Sequence, residues 1–376
     1  MGNTNRTDRS HRSAHWTQDS HAATPFAPSW LMEERDACGV GFIADQKGQA
    51  SHKLVTDALT ALSCMEHRGG CCADQDSGDG AGVMTTIPWA VLQTWANAEG
   101  KGTLTVGEVG VGMVFLPNHE GAAALARKAF TTVAAETGVE LLGFRPVPVA
   151  PETLGPLAKE FQPLIEQVVV KVTGLNAETL ERKLFLLRRG WELAVRNLAQ
   201  DADESTAAAL ADFYVCSLSG QTIVYKGMVR SQILGEFYLD LQNAEYTSHF
   251  AVYHRRFSTN TLPKWPLAHP MRLLGHNGEI NTLIGNINWM VARESELSHE
   301  VWGDDLAKLK PIVNVNASDS ANLDSVMELL VRSGRTPVQT LMMMVPEAYD
   351  NQPDLISHPE ITNYYEYYAG IQEPWD

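Results

Sequence analysis

Four short stretches of this 376-residue sequence concentrate side chains able to do chemistry. The first is Asp36-Ala37-Cys38-Gly39-Val40-Gly41-Phe42, where a cysteine opens an apolar run directly after a polar leader. Two readings fit it. A buried cysteine behaves as a small hydrophobe. A cysteine that becomes the new N-terminus once the leader is removed is a nucleophile, because a free α-amine of pKa ~7.7–8.0 can take its thiol proton. The second stretch runs from His67-Arg68-Gly69-Gly70 to Ser77-Gly78-Asp79-Gly80-Ala81-Gly82. Its alternating glycines predict a loop with unusual dihedrals or close backbone approach. The spacing is G-x-G-x-G without a strand-to-helix context, so it is not a dinucleotide fingerprint. Arg68 either caps a helix C-terminus or meets a substrate carboxylate. The third stretch, Tyr253-His254-Arg255-Arg256-Phe257-Ser258-Thr259-Asn260, delivers two arginines from a strand end into a hydroxyl-rich turn. Guanidinium forks match a carboxylate through paired hydrogen bonds; a solvated strand edge is the alternative. The fourth is Gly275-His276-Asn277-Gly278-Glu279-Ile280-Asn281. An asparagine amide beside a glycine N–H supplies two donors for one oxyanion; a helix N-cap after an Asn-Gly turn is the plainer reading.

Elements must hold these stretches in place. Residues 40–44 predict a short strand, with Gly39 and Gly41 marking close approach of other backbone. Leu54, Val55, Ala58, Leu59, Leu62 and Met65 recur at helical spacing. Residues 109–116 read as a buried strand, 122–137 as a helix, 139–144 and 147–149 as extended, and 177–197 as a long helix. Residues 213–217 and 222–225 predict a hairpin across Ser219-Gly220. Residues 249–253 and 271–274 read as two further strands, and Ile280 to Met290 and Leu323 to Leu330 as helical stripes. Interleaved strands and helices with short connections favour mixed sheets over a doubly wound parallel one.

Composition narrows the function classes. Asp and Glu number 45 against 29 Lys and Arg, a net charge of −16. No basic field of the kind nucleic acid requires is present, and no apolar run approaches the ~18 residues of a membrane helix. The five cysteines, Cys38, Cys64, Cys71, Cys72 and Cys216, stand at irregular spacings without C-x-x-C. That excludes a disulfide scaffold and the usual structural zinc frameworks, and fits a reduced, cytosolic-type compartment. Residues 1–24 are polar and predict disorder. Arg6 breaks the myristoylation pattern, while Arg6, Arg9 and Arg12 leave a plastid transit function open beside a plain leader.

The joint order of these motifs resembles the class II glutamine amidotransferases, N-terminal-nucleophile hydrolases. More narrowly, it resembles the amidotransferase domain that opens the large chain of glutamate synthases. The strings that carry the resemblance are DACGVGFIA (36–44), SGDGAGV (77–83), RFSTNTLPKWP (256–266), HNGEINT (276–282) and YYEYYAGIQEPW (364–375). The resemblance implies an α+β, four-layer αββα sandwich of two mainly antiparallel sheets. It implies residues 1–37 as a leader or propeptide and 38–376 as the amidotransferase domain, cut short at its C-terminal end. Cys38 matches the nucleophile, Asn277 and Gly278 the oxyanion hole, Arg256 the arginine on the α-carboxylate of glutamine, and Asp319 the acid on its α-amino group. Arg68 matches a further active-site arginine. Ser320-Ala321 follow Asp319 where many class II enzymes carry a glutamate, a departure that suits glutamate synthases. The implied substrate is L-glutamine, with no cofactor in this segment and no metal site. FMN and an iron–sulfur cluster belong to the complete family enzyme. Downstream synthase domains and ferredoxin or an NADPH-linked subunit are the implied partners, with neither nucleic acid nor membrane. A cytoplasmic location is expected, plastid not excluded. A domain of another class II synthase and a non-catalytic remnant are the competing readings.

Overall fold

The computed structural model describes residues 39–74, 76–256 and 263–376. Cys38, residues 257–260 of the third stretch and the Arg68 side chain lie outside the described residues.

Strand β1 (Val40–Ala44) leads to helix α1 (His52–Cys64), capped by the Ser51 hydroxyl, which accepts from the Leu54 N–H. Leu54, Val55, Ala58 and Leu62 form its buried stripe, so the predicted periodicity is the face laid on the sheet. Next come β2 (Ala81–Thr86), α2 (Trp89–Ala98), β3 (Val109–Leu116), α3 (Glu120–Glu136), β4 (Glu140–Pro146), α4 (Pro156–Glu160) and β5 (Leu164–Lys171). Helix α5 (Ala177–Asp201) begins at Asn176, whose side chain accepts from the Thr179 N–H. After α6 (Glu204–Leu210) come β6 (Tyr214–Ser219), β7 (Thr222–Gly227), α7 (Ser231–Phe237) and β8 (Phe250–Arg255). Four further helices follow: α8 (Leu283–Glu294), α9 (Asp319–Arg332), α10 (Pro337–Met344) and α11 (Pro359–Ile371).

The strands form two four-stranded sheets, ordered β1-β8-β2-β7 and β4-β5-β3-β6, with each neighbouring pair antiparallel. Alternation along β3 shows how they stack. Val111, Met113 and Phe115 join the core shared with Val83, Ile223 and Tyr225 of the first sheet. Val114 and Leu116 point the other way, into the layer of Phe130 from α3 and Trp191 from α5. With α1 on the outer face of the first sheet, this is the expected αββα layering. A polar network spans the interior between the sheets. Arg145 of β4 meets both oxygens of Asp240 at 2.7 Å and Gln167 of β5 at 2.8 Å, while the Tyr225 hydroxyl of β7 donates to Asp240 at 2.9 Å.

Two expectations need correction. Residues 213–217 and 222–225 do become strands, but β6 and β7 lie in different sheets, so no hairpin forms. The corner is held by Glu181 of α5, which accepts from the Ser219 hydroxyl at 2.8 Å and the Gly220 N–H at 2.7 Å. Those bonds satisfy the donors a hairpin turn would otherwise pair. Residues 271–274 form no strand. The Met271 N–H donates to the Leu274 carbonyl at 2.8 Å and the Leu273 N–H to Asp324 of α9 at 2.8 Å, so their pairing is local and to a helix.

Candidate active site

Strand β8 is the spine of the site. It pairs with β1 so that Val40 faces His254, and the Arg255 N–H donates to the Gly39 carbonyl at 2.6 Å. A Cβ on Gly39 would stand 2.2 Å from the Arg255 carbonyl oxygen, so glycine is required directly after Cys38.

Arg255 is fully buried and clamps both glycine-bearing loops. Its Nε and Nη2 donate to the Glu66 carboxylate at 3.1 and 3.0 Å, Nη2 also to the Gly70 carbonyl at 3.1 Å, and Nη1 to the Gly80 carbonyl at 3.0 Å. Nη1 pairs with Asp79 as well, and Asp79 in turn accepts from the Gly70 N–H at 2.8 Å. Burial pushes the Glu66 carboxyl up, but the hydrogen bonds from Ser231 and Arg255 outweigh it and hold it below its ordinary value. Glu66 opens the 3₁₀ turn Glu66–Arg68, so this buried cluster fixes the backbone of Arg68. Gly80, at φ +139°, takes a conformation open to glycine, as the alternating pattern predicts.

Arg256 behaves differently. Its side chain is 50% exposed, and its Nε stands 4.0 Å from Asp79. Its backbone has φ 108°, a strained value for a non-glycine residue, fixed by donation of its N–H to the Gly80 carbonyl at 2.8 Å. A guanidinium held on a strained backbone beside a buried carboxylate is available to an anionic ligand.

The turn 275–281 docks against the end of β8. His254 Nε2 lies 2.7 Å from the His276 carbonyl, and its Nδ1 lies 3.2 Å from the Arg256 carbonyl. In the amide orientation that suits its neighbours, the Asn277 oxygen accepts from the N–H groups of Gly39 and Val40 at 3.2 Å each, and its nitrogen stands 2.9 Å from His254 Nε2. The structure therefore brings Asn277 against the start of β1. The Gly278 N–H donates to His276 Nδ1 at 3.2 Å in this conformation. Asp319, the first residue of α9, is buried and accepts from the Ile280 N–H at 3.2 Å and the Ser320 N–H at 2.6 Å. Ser320 also reaches His276 Nε2 at 2.9 Å. Asp319 thus borders the same turn as Asn277 and Gly278.

Sequence reasoning offered Arg255 with Arg256 as a carboxylate fork and gave no supporting role to it, to Glu66 and Asp79 beside it, or to His254, His269 and His276 on the other side. The rings of His254 and His269 stack at 4.5 Å, and His269 meets His276 at 5.4 Å. Burial lowers all three histidines, His254 to about 4, His269 well below its ordinary value and His276 below it, which favours the neutral rings. The available signal was the end of the strand: Arg255 is the last residue of β8 and Arg256 lies just beyond it, so the two side chains need not share an environment.

Comparison with known proteins places this geometry. The family description "glutamine amidotransferases class-II" matches residues 38–376, beginning at Cys38 itself. The chain belongs to that family. It is 57% identical over 349 residues to ferredoxin-dependent glutamate synthase 2 of Synechocystis sp., covering 92% of this chain and 22% of that protein. It is 53% identical over 346 residues to the ferredoxin-dependent glutamate synthase of Pyropia yezoensis, covering 92% and 22%. It is 53% identical over 348 residues to the chloroplastic ferredoxin-dependent glutamate synthase of Oryza sativa subsp. japonica, covering 92% and 21%. The amidotransferase chain thus spans about a fifth of the length of the curated relatives it matches. Among the described residues, no helix is long and apolar enough to cross a membrane.

Proposed function

We propose that the chain hydrolyses the side-chain amide of L-glutamine with Cys38 as an N-terminal nucleophile, exposed by removal of residues 1–37. The observation that carries this reading is the contact of Asn277 with the Gly39 and Val40 N–H groups, one residue from Cys38. The α-amine of Cys38 takes the thiol proton, the thiolate attacks the amide carbon, and a tetrahedral oxyanion forms. One N–H of the Asn277 amide and the Gly278 N–H donate to that oxyanion, the latter on leaving His276 Nδ1. The ammonium of Cys38 returns the proton to departing ammonia, and water cleaves the thioester to glutamate. Arg256 grips the substrate α-carboxylate with its planar fork, Asp319 accepts from the α-ammonium, and Arg68 assists at the carboxylate side.

By the same reading, the chain is the amidotransferase part of a ferredoxin-dependent glutamate synthase, in which the ammonia passes to 2-oxoglutarate. Ferredoxin is the electron donor we favour, and the names of the plant relatives, which read chloroplastic, support a plastid compartment over the cytoplasmic one. FMN and an iron–sulfur cluster would lie in the rest of such an enzyme. Among the described residues no group of three His, Cys, Asp or Glu is arranged to hold a metal ion, and Cys216 is buried apart from the exposed Cys64 and Cys71. These residues do not fit a cluster, and no step runs through one. The test is product counting with glutamine as sole substrate. The processed protein should release one ammonia and one glutamate per glutamine, and Cys38→Ala should release none; ammonia release that persists in Cys38→Ala would refute the assignment.

A further inference from the structure

We propose that residues 373–376 are a strap that positions the Asn277–Gly278 turn, with Thr282 and Asn286 as its anchors. The inference rests on the oxyanion role proposed for that turn. The Asn281 and Thr282 N–H groups both donate to the Asp376 main-chain oxygen, at 2.6 and 3.0 Å. The Asp376 N–H donates back to the Thr282 hydroxyl at 3.0 Å, and that hydroxyl donates to Asn286 Oδ1 at 2.8 Å. Asn286 Nδ2 completes the array on the carbonyls of Glu373 and Pro374, at 3.1 and 3.0 Å. Asn286 is itself 1% exposed, so its end of the array is shielded from water, while the Asp376 end is exposed.

Thr282 is the decisive residue. It occupies the N-cap of α8, where a threonine hydroxyl ordinarily accepts from its own helix, yet it makes no such bond. Its hydroxyl serves the strap instead. The strap is fixed from behind by Trp375, 3% exposed in the core of α8, α9 and α10, whose N–H donates to the Met344 carbonyl at 2.7 Å. Its fit to α8 is close: a Cβ on Gly285 would stand 2.1 Å from the Glu373 carboxylate. On the other flank the turn is held by Asp319 and Ser320 of α9. Residues 276–282 are thus gripped at both ends, and the strap sets the end that follows Gly278. Thr282 and Asn286 are positioning residues; neither is assigned a contact with substrate.

The test compares Thr282→Val, which keeps the shape and loses the hydroxyl, with Thr282→Ser, which keeps the hydroxyl, in the full-length protein. Two readouts are taken: kcat and KM for glutamine, and amide hydrogen exchange across residues 275–282. A misplaced oxyanion donor lowers turnover more than binding, so Thr282→Val should lower kcat by about tenfold or more with KM within about twofold. Exchange across the turn should quicken by about tenfold while β8 is unchanged, and Thr282→Ser should restore both readouts. Asn286→Asp, which loses the donations to Glu373 and Pro374, is the second arm if the valine variant fails to fold. Unchanged exchange in the variants would overturn the strap whether or not glutamine is hydrolysed. Faster exchange with unaltered kcat would overturn its link to the chemistry. A wild-type protein that does not hydrolyse glutamine would instead overturn the functional reading, and exchange alone would then decide the strap.

Discussion

Strand β8 ends at Arg255, whose side chain is buried, and the positive φ of Arg256 just beyond the strand leaves that side chain half in solvent, which separates two side chains that read as a pair in the sequence. Arg255 is spent on Glu66, Asp79 and two carbonyls. Arg256 is half exposed, and on the carboxylate role proposed for it, replacing its fork with the point charge of lysine should act on binding. We expect Arg256→Lys to raise KM for glutamine by about tenfold or more, with a smaller effect on kcat. On the oxyanion role proposed for it, Asn277→Ala removes a donor needed most in the transition state and should lower kcat by ~10²–10³ with little change in KM. Steady-state kinetics of the two variants checks both, and the reverse pattern would exchange the assigned roles. The residues proposed to face the ligand could be named from sequence because their motifs are short and local. The histidines behind them were not. His254 and His276 each lie within a noted motif, but their neutrality comes from burial beside His269, which no local pattern encodes.

At the scale of elements, long periodic segments were readable, and β3, α3 and α5 fall where their patterns put them. Strands β2 and β5 were not anticipated. Strand β2 begins in the glycine-rich loop, so its first residues resemble a turn. Strand β5 carries Glu166 and Gln167 among its apolar residues, and both are answered from outside the strand. Glu166 accepts from Arg127 of α3 at 3.0 and 2.6 Å, and Gln167 bonds Tyr225 of the facing sheet at 2.8 Å. Tertiary partners rather than local pattern license those residues. The pairing of Arg145 with Asp240 belongs to the same network and pins the sheets together. Removing one partner leaves a buried, unanswered charge, so Asp240→Ala should lower unfolding free energy by about 3–5 kcal/mol in urea denaturation. A loss below about 1 kcal/mol would mean that apolar packing alone sets the spacing of the sheets.

Across the whole molecule, the buried His254 and His269 and the partly buried His276 couple stability to pH. Each has a folded pKa below its usual value near 6.5, so under that value the unfolded chain binds more protons and stability falls as pH falls. For His254 the window runs from 6.5 down to about 4. Glu66, held low, contributes only below its ordinary carboxylate range, so the fall just under pH 6.5 belongs to the histidines. Stability should drop by about 1 kcal/mol for each of His254 and His269 between pH 7 and 5.5, with His276 adding in the same direction, read from urea melts at each pH. A flat profile over that interval would contradict the neutral cluster behind the turn. The central claim concerns one atom, the Cys38 sulfur, as nucleophile at a new N-terminus. Its most direct test is mass spectrometry of the purified protein after reaction with the glutamine analogue 6-diazo-5-oxo-L-norleucine. The account predicts a chain that begins at Cys38 and carries a single adduct on that residue, with glutamine hydrolysis abolished. Full hydrolysis by a chain still beginning at Met1, or an adduct on Cys64, Cys71, Cys72 or Cys216 that persists in Cys38→Ser, would contradict it.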